Sequence, residues 1–275
     1  MPLISFRARI REPKHPLAAS PYVTRCIFFP DLMHLMDCKG VSAIVFGSIL
    51  VQFLRKRALG PTMAERLRFI NGELDAWYSG KPKAHRLPHI DLSNVTNNGW
   101  ADLHGPAIKA ANTRASSGFF LHLSEQYLSG ESDLERSTVE VAKCLDEFYK
   151  VIYGAERFMT AAELRRLRSV CLQFGEAYMR SRAFSRRSAL LAFEVTPKVH
   201  KMQHVPAMAQ IMNPRFVANY AEESLVGTTA KVWKRSMSGR YKKMAQFNVL
   251  MKKALGVLLS MCMTERKIRI DRSSG

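Results

Sequence analysis

The sequence predicts a mainly α-helical protein with seven to eight helices and at most one or two short strands. Apolar residues recur at helical spacing through most of the chain. Two helix-start signals, a Thr followed three residues later by a Glu, stand at Thr62 and Thr160. Only residues 24–29 (TRCIFF) form a short β-branched and aromatic run that predicts a strand.

The composition indicates a folded, strongly basic protein. The 275 residues carry 42 Lys and Arg against 23 Asp and Glu, a formal net charge of +19. Such a balance favours a polyanionic partner, either nucleic acid or an anionic membrane face. Of the two we expect nucleic acid, and the charge alone does not separate DNA from RNA. The alternative is a protein that is merely basic. The five Cys are scattered without a Cys-x-x-Cys spacing, which indicates reduced thiols in an intracellular protein. A DNA-binding role would be consistent with the nucleus.

The order of patterns predicts five segments. Residues 1–20 are a basic irregular arm, and residues 21–60 combine the strand with a buried helix over Val41–Leu54. That apolar run is too short to span a bilayer and contains Ser and Gln, so we expect a core helix and no transmembrane segment. Residues 61–195 are helical apart from a loop at 79–105, with later helices over 105–128, 132–153 and 160–193. Residues 196–265 are again helical, and residues 266–275 form a frayed tail.

Two histidines one helical turn apart suggest a metal site at first sight. Pro197, with Thr196 as cap, predicts a helix start, which places His200 and His204 on one face. The zinc-protease motif needs a Glu directly after the first His, and Lys201 stands there. We therefore expect core or hydrogen-bonded histidines, whose roles the sequence leaves open.

Two acidic residues are placed as if for chemistry on phosphates. Asp31 follows the predicted strand, and Glu223 lies on a helix predicted over 215–234 after the Asn213-Pro214 break. A two-metal phosphoryl-transfer site needs about three such carboxylates. Because Glu223 shares a helix face with Lys231 and Lys234, the pattern equally fits an exposed, salt-bridged helix.

Basic residues concentrate in two parts of the chain. Residues 165–187 hold seven Arg and a single acid, Glu176. Arg at this density suits bidentate phosphate contacts, although a solvated helix face is an equal alternative. The candidate nucleic-acid-binding residues are Arg165, Arg166, Arg168, Arg186, Arg187, Lys231, Lys234, Arg235, Lys242 and Lys243.

Two motifs and the helical spacer between them resemble a known family. PDLMHLMDCKGV and PKVHKMQHV with NPRFVANYAEESLVG resemble the C-terminal half of eukaryotic mobile-element transposases with a ribonuclease-H-like Asp-Asp-Glu core and an all-α insertion. The resemblance implies that Asp31 and Glu223, with Glu222 as the adjacent candidate, are catalytic and bind Mg or Mn. It also implies that residues 61–195 are the insertion and that residues 21–60 and 196–265 belong to the core.

The chain departs from that family pattern near its start. Glu12 is the only acid before Asp31, so no acid-bearing strand supplies the first Asp. We expect an incomplete nuclease core, and hence a transposase-like remnant that binds DNA but lacks full catalytic activity. An active form would be a metal-dependent phosphoryl-transfer enzyme. The alternative is a basic helical binding or scaffold module in which Asp31 and Glu223 are structural.

Overall fold

The computed structural model describes residues 31–82, 84–128 and 130–218, which belong to a compact unit ending at Ala218. The predicted basic arm, the strand at 24–29, the helix beyond Ala218 and the tail lie outside these residues.

The mainly α-helical prediction is confirmed. Within the described residues the α-helices number eight, and one two-stranded antiparallel hairpin, Thr96–Asn97 (β1) with Trp100–Ala101 (β2), accompanies them. A π-helical turn, Met33–Asp37, precedes the first α-helix. The helices are α1 Val41–Arg55, α2 Met63–Tyr78, α3 Ala110–Ala115, α4 Ser117–Tyr127, α5 Asp133–Gly154, α6 Ala161–Arg187, α7 Pro197–Met202 and α8 Val205–Ala209.

Helix α1 is the buried centre, as its apolar sequence predicts. Nearly every side chain along it is buried, and the Phe46 ring stacks on Phe120 of α4 with centroids 4.1 Å apart. A Cβ at Gly47 would collide with the backbone of Asp102, so glycine is what lets the chain after β2 approach the helix. The Leu103 N–H donates to the Ala43 carbonyl at 2.9 Å across this contact.

One segment meets the length and hydropathy of a membrane span. The stretch Met33–Arg55 is apolar and long enough by composition alone, yet 83% of its most apolar window is buried inside the protein. No other helix among the described residues is both long and apolar enough to span a membrane. The burial of this one is that of a core helix, which is consistent with the expectation of no transmembrane segment.

Helices α5 and α6 pack along each other, and theirs is the most extensive contact between helices in the described part of the chain. Ser132 caps α5 by accepting from the Glu135 N–H at 3.1 Å, and Thr160 forms the predicted capping box with Glu163 at the start of α6. Phe148 of α5 and Phe174 of α6 are fully buried in the shared core. The capping box predicted for α2 at Thr62 is also present.

Two predicted helices are wrong in extent. The helix over 105–128 is two helices, because Ser116 breaks it with a backbone ψ of 1° while its hydroxyl donates to the Thr113 carbonyl at 2.8 Å. The helix over 160–193 stops at Arg187, since Ala189 takes a φ of +50° and Phe193 a φ of +54°. The Phe193 N–H then donates to the Ser48 hydroxyl at 2.8 Å, which fastens the chain after α6 to α1.

Candidate functional site

Asp31 and His34 lie together at the π-helical turn. One Asp31 oxygen accepts from the Met33 N–H at 3.0 Å, and the other lies 2.5 Å from Nδ1 of His34. The Asp31 side chain is 17% exposed and that of His34 is 53% exposed. Both Asp31 oxygens therefore have hydrogen-bond partners within their own turn, as in a helix-capping carboxylate.

A buried polar cluster of Asp37, Ser42 and Tyr149 lies at the other end of the same turn. The Tyr149 hydroxyl donates to Oδ1 of Asp37, and the Ser42 hydroxyl lies 2.6 Å from the Tyr149 oxygen. Asp37 is 2% exposed and Ser42 is fully buried. The cluster ties the π-helical turn, α1 and α5 together through side chains far apart in sequence.

The environment of Asp37 alters its protonation. Burial raises the pKa of the Asp37 carboxyl to about 7, against the opposing effects of the Tyr149 hydrogen bond and the Arg114 charge, while the Asp31 charge adds to the increase. Burial and the neighbouring Asp37 likewise raise the pKa of Tyr149. Asp37 therefore changes charge near neutral pH inside the core.

Cations also lie beside this turn. Arg114 donates to the Tyr153 hydroxyl at 3.0 Å, and the guanidinium groups of Arg114 and Arg215 lie 4.8 and 5.8 Å from the Tyr153 ring centroid. Lys198 of α7 donates to the Cys38 and Lys39 carbonyls at 3.2 and 2.7 Å. Burial lowers the pKa of the Lys198 ammonium.

The described residues do not assemble a metal site. Within 31–82, 84–128 and 130–218 no group of three His, Cys, Asp or Glu could hold an ion. Asp31, the predicted catalytic and metal-binding residue, is described, whereas its predicted partners Glu222 and Glu223 lie outside these residues. The predicted pairing of Asp31 with Glu223 thus stays a prediction.

The paired histidines sit next to each other, as predicted. Nε2 of His200 and Nε2 of His204 are 3.2 Å apart on an exposed surface. Burial, followed by the nearby His200, lowers the pKa of His204. His200 ends up in α7, while His204 lies just beyond the end of that helix.

The seven arginines of α6 differ in the partners they have within the protein. Arg166 forms an ion pair with Glu147, and Arg180 forms one with Glu140 at 2.5 Å, so both are committed to α5. Arg182 is half-buried over the Trp100 ring and donates to the Ala192 carbonyl at 3.1 Å. The other four arginines are exposed, and none of the ion pairs between described residues includes them: Arg165, Arg168, Arg186 and Arg187.

These four residues, which we call the arginine face, point to one side of α6. At about 100° per residue they fall within an arc of roughly 100°. The same arc carries Glu176 and the exposed Leu172 and Met179, each 54% accessible. The face therefore has an arginine pair at each end and a mixed apolar and acidic middle.

The other predicted nucleic-acid-binding residues, Lys231, Lys234, Arg235, Lys242 and Lys243, lie outside the described residues. Sequence reasoning missed the buried polar cluster. Its one signal was a tyrosine on the apolar face of α5, because a buried Tyr hydroxyl needs a partner. Nothing local indicated that this partner would be Asp37.

Comparison of the chain with protein-family models, with curated proteins and with solved structures found no match.

Proposed function

We propose that this chain is a transposase-like, nucleic-acid-binding protein that contacts the DNA phosphates through the arginine face of α6 and does not cut DNA by itself. The observation that carries the proposal is the set of four exposed arginines on one side of α6, for which the described residues supply no carboxylate partner. The net charge of +19 supports the same class of partner.

The contrast within α6 explains why these arginines suit phosphate. The guanidinium groups of Arg166 and Arg180 are already ion-paired with Glu147 and Glu140. Arginines of the exposed face retain their donors for a ligand, and a guanidinium can hold a phosphate with two parallel hydrogen bonds. Each phosphate contact also releases counterions, so binding of this kind weakens steeply with salt.

The Asp31 environment supports binding without cleavage. Both Asp31 oxygens accept hydrogen bonds from Met33 and His34, and Asp37 is buried against Tyr149. A metal ion on Oδ2 of Asp31 would compete with the His34 ring for that oxygen. We expect no Mg- or Mn-dependent nicking of supercoiled plasmid beyond that of the Asp31→Ala and Glu223→Ala variants. Nicking that those substitutions abolish would contradict this part of the proposal and make the chain a metal-dependent phosphoryl-transfer enzyme.

A second candidate is a basic helical scaffold that binds another protein. The exposed Leu172 and Met179 in the middle of the arginine face favour it, since apolar side chains at the centre of a charged rim are typical of protein interfaces. Binding through those two residues would depend weakly on salt.

The test compares two variants that each lose four exposed cations. One removes the arginine face (R165Q/R168Q/R186Q/R187Q), and the matched control removes cations from other elements (R57Q/R68Q/K109Q/K201Q). Affinity for a fluorescent DNA duplex is measured by anisotropy between about 50 and about 200 mM salt. Both variants are first checked for folding by circular dichroism.

The expected result is a loss of salt dependence for the arginine-face variant. Its slope of log affinity against log salt should fall by up to about 3 to 4, because each lost phosphate contact removes about 0.9. The control should change much less. Equal losses in both variants would mean that net charge alone attracts DNA, and would reject the arginine face as the interface. Unchanged DNA binding, with loss of a protein partner on L172A/M179A, would favour the scaffold.

A further inference from the structure

We infer that the arginine face is a two-point clamp for a DNA double helix, with its two arginine pairs on phosphates about one helical turn apart. The inference rests on the proposed function and adds to it the form of nucleic acid that the face recognises. Arg165 and Arg168 form the N-terminal pair, and Arg186 and Arg187 form the C-terminal pair.

The spacing of the two pairs follows from helix geometry. Both lie in one unbroken helix, Ala161–Arg187, so the distance between them is fixed by its rise. The 18 to 22 residues that separate their members correspond to about 27 to 33 Å at roughly 1.5 Å per residue. One turn of B-form DNA is about 34 to 36 Å, and the reach of an arginine side chain covers the difference.

The middle of the face argues against a continuous phosphate contact. Glu176 is exposed in the same arc and would repel a phosphate placed opposite it. Leu172 and Met179, each 54% exposed, offer no donor to a phosphate. The phosphate contacts that this face can make are therefore confined to its two ends.

The base of the clamp is held rigid. Phe174 and Tyr178 on the inner side of α6 are fully buried in the core, and the exposed Arg166 and Arg180 pair with Glu147 and Glu140 of α5. At the C-terminal end, Arg55 of α1 donates to the Ser188 and Ala189 carbonyls at 3.1 and 3.2 Å. Rigid spacing matters, because two linked contacts strengthen each other only when the ligand can meet both at once.

The experiment measures affinity as a function of duplex length. DNA hairpins with one common loop and stems from about 6 to about 24 base pairs bracket one helical turn of about 10 base pairs. The proteins are the full chain, the variants R165Q/R168Q and R186Q/R187Q, and the two-charge control R68Q/K109Q. A single strand and an RNA duplex of the longest length complete the set.

The clamp predicts a step in affinity once the stem exceeds about one turn, at least about tenfold above the gradual increase expected from added binding positions. Either double variant should abolish the step and leave short stems bound nearly as before, whereas R68Q/K109Q should keep it. The single strand and the RNA duplex should bind more weakly than the DNA duplex of the same length.

Two outcomes overturn the clamp while leaving the proposed function intact. One is a smooth rise of affinity with length, and the other is equal, additive losses in both double variants at every length. Stronger binding of the RNA duplex would also overturn it. Failure of the proposed function looks different, because then neither double variant changes DNA affinity more than R68Q/K109Q does at any stem length.

Discussion

The buried polar cluster and the arginine face are both concentrations of polar side chains, but they are satisfied in opposite ways. Asp37, Ser42 and Tyr149 are removed from water and bonded to one another. The arginines of the face are in water, and their ion-pairing partners are absent from the described part of the chain. A buried polar group needs its partner for folding, whereas an exposed one is free to serve a ligand. The difference predicts large stability effects in the first region and small ones in the second.

The largest expected effect tests how closely the chain packs around α1, the helix that carries Ser42 of the buried polar cluster. Gly47→Ala should lower the free energy of unfolding by more than about 3 kcal/mol, because the new Cβ meets the Asp102 backbone, which cannot move aside as a side chain can. Denaturant unfolding followed by circular dichroism measures the change. The control is Gly72→Ala in α2, where nothing lies within 4 Å of the added Cβ. That change should stabilise the protein by up to about 1 kcal/mol. A Gly47→Ala protein as stable as the parent would show that the region around α1 is looser than the structure indicates.

The next effect uses the charge of Asp37. Its folded-state pKa of about 7 lies above the ordinary value of 3.8, so the folded protein holds a proton that the unfolded chain releases between these values. The contribution of Asp37 to stability is therefore greatest at low pH and falls as the pH rises toward about 7. Asp37→Asn removes this dependence. The free energy of unfolding of the variant, relative to the parent, should rise by about 2 to 3 kcal/mol between about pH 5 and about pH 8.

Asp133→Asn is the matched control for that experiment, because Asp133 is 60% exposed and pairs with Arg136, whose guanidinium keeps its charge over this pH range. Its stability relative to the parent should stay nearly constant over the same pH range. If Asp37→Asn also stays constant, Asp37 is not the buried proton-binding group.

A smaller effect concerns the hydrogen bond that Tyr149 donates to Asp37. Tyr149→Phe should cost about 1 to 3 kcal/mol, since a buried carboxyl loses a donor and the Ser42 hydroxyl loses its partner. The hydrogen bond lowers the pKa of Asp37, so its removal should raise that pKa further. Carboxyl-carbon NMR reports the titration. Additive losses in the Tyr149→Phe/Asp37→Asn double variant would show that the two groups do not interact.

The difference between the two regions also decides what could be predicted from sequence. Helices α1, α2 and α5 and the capping boxes at Thr62 and Thr160 follow from apolar spacing and from residues three positions apart, which are local patterns. The break at Ser116 was missed because a serine within a helical pattern is compatible with both a continuous and a broken helix.

The candidate sites show the same limit. The arginine density of α6 is visible in the sequence. Which of these arginines form ion pairs and which stay exposed without one depends on the packing of α6 against α5. Arg166 and Arg180 are occupied only because α5 places Glu147 and Glu140 beside them. Asp37 and Tyr149 are 112 residues apart, and their hydrogen bond exists only once α5 packs against the π-helical turn. Sequence patterns of helical spacing carry no information about such a pairing.

The smallest expected effect separates binding from stability within α6 itself. R186Q/R187Q should change the free energy of unfolding by about 1 kcal/mol or less. Both side chains are exposed, and they lose a favourable position near the helix C-terminus and the contact of Arg187 with the Phe184 ring, at 5.6 Å from its centroid. Arg182→Gln, one turn earlier, should cost about 1 to 2 kcal/mol, because Arg182 covers the Trp100 ring and holds the Ala192 carbonyl. Thermal or denaturant unfolding compares the two variants directly. An R186Q/R187Q variant less stable than Arg182→Gln would mean that the C-terminal pair belongs to the structural part of the molecule, and the contrast between the arginine face and the buried cluster would fail at that end of α6.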